Sequence, residues 1–118
     1  MAYFRKLRVW EASLDLTKKI YSITAGSSFN KDYSLKDQIR RAAVSVTSNI
    51  AEGAEQLSEK KSIYHFSIAK GSTAEIITQL HIAFGISYID KDTFDRLEND
   101  SEKIRASLNK LIKAFQNN

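Results

Sequence analysis

Residues Ser34 to Gly53 read SLKDQIRRAAVSVTSNIAEG, and this stretch is the most informative one for predicting the fold. Its apolar side chains recur at spacings of three and four, which is typical of one buried stripe on a helix. An arginine pair, Asn49 and Glu52 interrupt or flank that stripe. An unpaired buried amide or carboxylate costs about 1 to 3 kcal/mol, so we expect Asn49 and Glu52 to belong to a defined polar network. The predicted stripe consists of Leu35, Ile39, Ala42, Val46 and Ile50.

The same periodicity predicts four helices, and no segment alternates at period two, so no sheet is expected. The helices are predicted at about residues 4–24, 34–53, 59–85 and from 90 onward, and the chain has no proline to interrupt them. Residues 25–33, AGSSFNKDY, are predicted to form a loop because Gly and Ser cluster there. Ser34 and Ser58 are the predicted N-caps.

Each of the other helices carries its own apolar stripe, and the fourth fits a heptad seam. The predicted stripes are Leu7, Trp10, Leu14, Thr17 and Tyr21 in the first helix, Ile63, Phe66, Thr73, Ile77, Leu80 and Phe84 in the third, and Phe94, Leu97, Ser101, Ile104, Leu108, Leu111 and Phe115 in the fourth.

The third helix has a second stripe on another face, so we expect it to be buried on two sides. Gly71 lies in its middle and costs about 1 kcal/mol relative to alanine, which indicates that another backbone comes close there. Self-association would explain both features. We therefore assign His65, Ile68, Ser72 and Ile76 to an oligomer interface.

Four amphipathic helices with short connections predict an all-α fold, an antiparallel, up-down-up-down, left-handed four-helix bundle. With 118 residues, the chain is expected to form a single domain, residues 1–118. The absence of cysteine excludes disulfides and thiolate metal sites. Charges interrupt the N-terminal segment, which therefore predicts neither a signal peptide nor a membrane partner. A cytoplasmic location is the expectation.

The net charge of +4 lies in the first half of the chain. Residues 1–61 hold 11 Lys or Arg and 7 Asp or Glu, which gives 11 − 7 = +4, whereas residues 62–118 hold 7 of each. Such an excess is compatible with a polyanionic partner, because Lys and Arg neutralise phosphates. The alternative is that these charges form only a solvated helix face.

Arg40 and Arg41 point about 100° apart on a helix, so they cannot share one role. The pattern fits either arginine for the structural polar network with Asn49 and Glu52, and we assign Arg41 to it. If Glu52 is buried there, Glu52→Ala should cost about 3 kcal/mol or more. Arg40 is predicted to lead a basic row that binds nucleic acid, and an intersubunit ion pair is the alternative for it. The predicted nucleic-acid-binding residues are Arg5, Arg8, Lys36 and Arg40.

No catalytic constellation is found in the sequence. No Glu-x-x-His pair, phosphate-binding glycine loop or nucleophile elbow is present, so no cofactor and no metal site are predicted. His65 and His81 are interpreted as helix residues with hydrogen-bonded partners rather than as ligands. Glu52 and Glu55 have helical spacing, but no nucleophile accompanies them. The sequence therefore predicts a protein that is not an enzyme.

Four segments resemble a known family. The run QIRRAAVSVTSNIAEG, followed by IAKGSTAEIITQL, together with RVWEASLDLTKKIY and ISYID, is similar to the four helix bundle protein family, also called 23S rRNA intervening-sequence proteins. The chain departs from the family pattern at Thr47, where a proline is typical, at Glu55 and Gln56 after the AEG motif, and at Lys61. We treat the following only as family-motif positions: Gln38, Arg40, Arg41, Ser48, Asn49, Glu52, Gly71 and Ser72.

The resemblance implies an antiparallel four-helix bundle that assembles into a homopentamer, with no established enzymatic activity. It also implies nucleic-acid association, through gene context, and a related bundle is an accessory subunit of a reverse transcriptase. Two hypotheses follow for this chain. It is an oligomeric module that binds RNA or DNA without sequence preference, or it is a structural or accessory scaffold that binds a protein partner such as a reverse transcriptase.

Overall fold

The computed structural model describes residues 3–116, and every regular element in that range is helical. The elements are a 3-10 turn (Tyr3–Lys6), α1 (Arg8–Thr24), a short α2 (Ser27–Lys31), α3 (Tyr33–Ala54), α4 (Glu59–Gly85) and α5 (Lys91–Gln116). The all-α prediction is confirmed. The long helices pack as a helical bundle measuring 46 × 22 × 21 Å. Within residues 3–116, no helix combines the length and apolarity that crossing a bilayer would need.

The core contains most of the predicted apolar stripes of α3 and α5. All five stripe residues of α3 are buried, as predicted. In α5, the seam from Phe94 to Leu108 is buried, and Leu111 and Phe115 are half-buried at the end of the helix. α3 packs between α1 and α4, and α4 packs between α3 and α5.

The buried face of α1 differs from the prediction. Ser13, Leu16, Ile20 and Thr24 face the core, whereas Tyr21 is exposed. Burying the two hydroxyls is inexpensive, because Ser13 Oγ donates to Trp10 O (2.7 Å) and Thr24 Oγ1 donates to Ile20 O (2.8 Å). The prediction is wrong for Tyr21, whereas Leu7 and Trp10 of the predicted stripe are half-buried against the core. Ser13 and Thr24 are missed because they count as polar in the pattern but satisfy their hydroxyls within the helix.

The predicted loop after α1 contains a helix. α2 holds Phe29, which is buried and lies 5.3 Å, ring to ring, from Tyr88. The N-cap of α3 is Asp32 rather than Ser34, since Asp32 Oδ1 accepts a hydrogen bond from the Leu35 N–H at 3.1 Å. The predicted cap at Ser58 is confirmed for α4.

The two-sided burial of α4 has a different cause from the one predicted. Ile76 is 0% exposed and Ser72 is 6% exposed within the chain itself, because α3 and α5 cover the two sides of α4. The assignment of these two residues to an oligomer interface is therefore wrong. His65 and Ile68 are half-buried, and their assignment stays a prediction.

Gly53, at the C-terminal end of α3, and Gly71, in the middle of α4, have opposite surroundings. A Cβ atom at Gly53 would lie 2.5 Å from Phe66 Cε1, so glycine lets α3 and α4 approach each other there. A Cβ atom at Gly71 would meet nothing within 4 Å. No described part of this chain packs against Gly71, so a contact with another subunit there stays a prediction.

Candidate functional site

Asn49 links α3 to α4 through a short polar network. Its Nδ2 donates to Ser45 O (2.9 Å), and its Oδ1 lies 3.0 Å from Nδ1 of His65. Glu52 Oε2 lies 3.2 Å from the same nitrogen. An amide oxygen and a carboxylate only accept hydrogen bonds, so Nδ1 of His65 carries the proton in this arrangement. Ser45 Oγ extends the network to Ser72 Oγ at 2.9 Å.

The network differs from the predicted one in two members. Arg41 is exposed and forms none of these bonds, and the partner of Glu52 is His65 rather than an arginine. The side chain of Glu52 is 59% exposed, because it reaches His65 from the solvent side. The prediction that Arg41 and Glu52 form a buried pair is therefore wrong, whereas Asn49 does lie in a polar network.

Arg40 links α3 to the C-terminal end of α1 through hydrogen bonds. Its Nε donates to Thr24 Oγ1 (2.8 Å), its Nη2 donates to Tyr21 O (3.3 Å), and the guanidinium lies 4.4 Å from the centre of the Tyr21 ring. A cation is favourable at a helix C-terminus, where carbonyls lack helical partners. Arg40 is thus the inward member of the arginine pair and Arg41 the outward one, the reverse of our assignment.

The four predicted nucleic-acid-binding residues do not form one patch. Lys36 Nζ donates to Asn30 O (3.2 Å) and Oδ1 (3.0 Å), beside the end of α1 that Arg40 holds. Arg5 and Arg8 are exposed at the other end of α1. With a rise of about 1.5 Å per residue, the two pairs are separated by about 24 Å.

Most basic side chains of the first half of the chain have no acidic partner. Among the described side chains of residues 1–61, only Lys19 forms an ion pair with a carboxylate, to Asp15 (3.1 Å) and Asp100 (3.2 Å). The charge excess seen in the sequence is thus not cancelled locally. The exposed bases without an ion pair among the described residues are Arg5, Arg8, Lys18, Lys31, Arg41, Lys60 and Lys61.

A further groove brings together bases that the sequence did not connect. Lys70 of α4 and Arg105 and Lys113 of α5 line it. These residues are far apart along the chain, and only the packing of α4 against α5 makes them neighbours. The feature of the sequence that points to this groove is Gly71, which follows Lys70. From the sequence alone, Gly71 indicates a close approach of another backbone and not a groove.

Catalytic groups are sparse in the described part of the chain. His65 and His81 each lie beside a carboxylate, Glu52 and Glu98 respectively, which agrees with their interpretation as partnered residues. Residues 3–116 contain no group of three His, Asp or Glu side chains placed to hold a metal ion.

A model of the 23S rRNA-intervening sequence protein family matches residues 5–110. Among solved structures, the chain is similar to a protein of unknown function from the S23 ribosomal protein family of Bacteroides thetaiotaomicron. The two share 26% sequence identity with a TM-score of 0.82, and the match covers 89% of this chain and 98% of the other. Comparison with curated protein sequences gives no significant match. Because the family match extends over most of the sequence, the chain belongs to the 23S rRNA-intervening sequence protein family.

Proposed function

We propose that this protein is a non-enzymatic, oligomeric bundle that binds RNA or DNA without sequence preference. The observation that carries the proposal is the set of exposed bases in the first half of the chain, of which only Lys19 is ion-paired among the described side chains. Unpaired Lys and Arg side chains neutralise phosphates and release their counterions, which supplies most of non-specific affinity.

The binding residues differ from the first assignment. Arg40 and Lys36 already hold α1 and α2 through hydrogen bonds, so they are poorly placed to contact a phosphate. Arg41 replaces Arg40, because it is exposed and borders grooves on both sides of α3. Arg5 and Arg8, at the other end of α1, are proposed as a second and separate basic surface.

Oligomerisation would multiply this charge. If the chain forms the homopentamer that the family resemblance implies, five copies of a +4 chain carry 5 × 4 = +20. Linked copies of a weak site gain avidity without any new contact. A modest basic surface would then suffice to concentrate a polyanion.

The absence of catalysis is part of the proposal. His65 has its carboxylate partner, but no described hydroxyl donates to its second ring nitrogen, so the arrangement lacks an activated nucleophile.

Fluorescence anisotropy of a labelled generic oligonucleotide tests the proposal. Affinity should fall steeply between about 50 and 200 mM salt, with a log-log slope of about one unit per phosphate neutralised. Arg5→Gln combined with Arg8→Gln and Arg41→Gln should weaken binding and reduce that slope, and Lys91→Gln, which removes an ion-paired base, is the control. Absence of binding at low salt with an intact oligomer would overturn the proposal.

The second candidate is a scaffold that binds a protein partner. Large apolar side chains are exposed on the bundle, including Val44 (43%), Ile82 (47%) and Ile86 (50%). Exposed apolar surface is typical of protein interfaces. Such a role predicts no salt-dependent oligonucleotide binding, which separates the two candidates.

We also propose the antiparallel, up-down-up-down, left-handed arrangement for the bundle. Contacts between α3 and α4 support it, because Asn49 meets His65 whereas the earlier Ser45 meets the later Ser72. The heptad seam of α5 supports a left-handed supercoil. Distances between spin labels placed at helix ends would test the topology.

A further inference from the structure

The groove between α4 and α5 has a volume of about 650 Å³. It extends along α5 from Arg105 to Lys113, a distance of about 12 Å at 1.5 Å per residue. Gly71 and Ala74 of α4 line the opposite side. Small residues there leave the surface of α4 open.

The charges along this groove are of one sign. Lys70, Arg105 and Lys113 line it, and none of its lining residues within the described range 3–116 is acidic. Four other grooves on the described surface each include at least one carboxylate in their lining. Those carboxylates are Asp15, Asp37, Glu75 and Asp100. The α4–α5 groove is therefore better suited to an anion than those four grooves.

Arg105 is held in a fixed orientation. Its Nε and Nη2 donate to the two carboxylate oxygens of Glu102, each at 3.0 Å. This bidentate pair raises the pKa of Arg105 and lowers the pKa of Glu102. The pair offsets part of the charge of Arg105, so Lys70 and Lys113 supply most of the unbalanced charge, since neither has an ion pair within the described residues.

Gly71 has no packing reason within the chain. A Cβ atom there would meet nothing within 4 Å. Glycine destabilises the interior of a helix, and Gly71 lies in the middle of the 27-residue α4. The missing side chain leaves room for a ligand that lies in the groove against α4.

We propose that this groove binds the sugar–phosphate backbone of single-stranded nucleic acid. Lys70 and Lys113 neutralise phosphates, and the strand lies over Gly71. Asn109 and Nη1 of Arg105, the guanidinium nitrogen that does not bond Glu102, donate hydrogen bonds to phosphate or sugar oxygens. At about 3.4 Å per nucleotide of a stacked strand, the 12 Å between Arg105 and Lys113 accommodates about three to four nucleotides. The inference rests on the proposed function and adds a further binding site to the bases of the first half of the chain.

The test measures anisotropy of a labelled single strand with two groove variants. Gly71→Leu fills the groove without changing the charge, and Lys70→Gln combined with Lys113→Gln removes two charges. Each should weaken binding by about tenfold at low salt, and the double variant should also reduce the log-log salt slope by about two units. Circular dichroism checks that the variants are folded.

Matched controls isolate the groove. Lys91→Gln combined with Arg96→Gln removes two bases that pair with Asp95 and Asp92 on the same helix, and Thr78→Leu adds an apolar side chain at an exposed position of α4 outside the groove. Both should bind within about twofold of the unmodified protein, since neither alters a proposed phosphate contact.

The outcomes separate the groove from the proposed function. If the unmodified protein binds no oligonucleotide at low salt, both fail. If it binds and both folded groove variants bind equally well, only the groove is wrong. Competition by poly-glutamate as effective as that by the single strand would overturn the nucleic-acid assignment in favour of an acidic protein partner. Equal losses with a duplex probe would overturn the preference for single strands.

Discussion

Tyr88 shows how one hydrogen bond joins three parts of the bundle. Its hydroxyl donates to Asp32 Oδ2 at 2.9 Å, while Asp32 Oδ1 caps α3 through the Leu35 N–H. The ring also lies against Phe29 of α2. The Asp32 acceptor, with a smaller contribution from burial, raises the pKa of Tyr88 above its usual 10.0.

This raised pKa predicts a loss of stability at alkaline pH. Because the folded chain holds the Tyr88 proton more tightly than the unfolded chain, the stabilisation is complete below about pH 10 and is lost as the pH rises through the folded pKa. Tyr88→Phe should lower the melting temperature at neutral pH and reduce the further decrease between about pH 9 and pH 11. Identical pH profiles for the two proteins would contradict the role of this bond.

Asn49 and Glu52 should differ in their effect on stability. Glu52 is 59% exposed, and an exposed ion pair contributes about 0 to 1 kcal/mol, so Glu52→Ala should cost far less than first expected. Asn49→Ala removes the amide that bridges Ser45 and His65 and should cost about 1 to 3 kcal/mol. Urea unfolding of the two variants gives the comparison, and a larger cost for Glu52→Ala would mean that the network has been misassigned.

The sequence could identify these polar residues but not all their partners. It indicated that Asn49 needs hydrogen bonds and that Arg40 and Arg41 point apart. Which arginine faces inward depends on where the C-terminal end of α1 lies, and that is a tertiary fact. The pairing of Glu52 with His65 likewise depends on the packing of α3 against α4.

Among the helices, the buried face could be predicted from the sequence where the buried residues are apolar. The α5 seam was predictable because most of its members are apolar and the one serine, Ser101, returns its hydroxyl to Leu97 O at 2.7 Å. The α1 stripe was not, because Ser13 and Thr24 occupy buried positions. α2 was missed because its composition predicts a loop and only the burial of Phe29 stabilises it as a helix.

Gly53 of α3 and Gly71 of α4 give opposite predictions. Gly53→Ala forces the Phe66 ring to move and should lower the free energy of unfolding by about 1 to 3 kcal/mol. Gly71→Ala meets open space and should raise it by about 0.5 to 1 kcal/mol through helix propensity. Denaturant titration measures both. Destabilisation by Gly71→Ala would mean that something in the native assembly already occupies the α4–α5 groove.

For the protein as a whole, the burial of a residue within the chain determines whether its substitution can test self-association. Ile76 is fully buried, so a charge there would disrupt the bundle whether or not the protein is an oligomer. Ile82 and Ile86 are about half exposed and lie four residues apart at the end of α4. They can be changed without opening the core.

We expect the protein to be an oligomer at micromolar concentration, and Ile82→Glu combined with Ile86→Glu to lower its mass. The physical reason is that exposed apolar side chains at an interface lose their burial and gain a desolvation cost when they become charged. Ala106→Glu, at an exposed position of α5, is the matched control and should leave the mass unchanged. Light scattering coupled to size exclusion measures all three proteins. A monomeric mass for the unmodified chain would remove the multiplication of charge on which avid nucleic-acid binding depends, whereas an oligomer that survives the double substitution would place the interface on another face of the bundle.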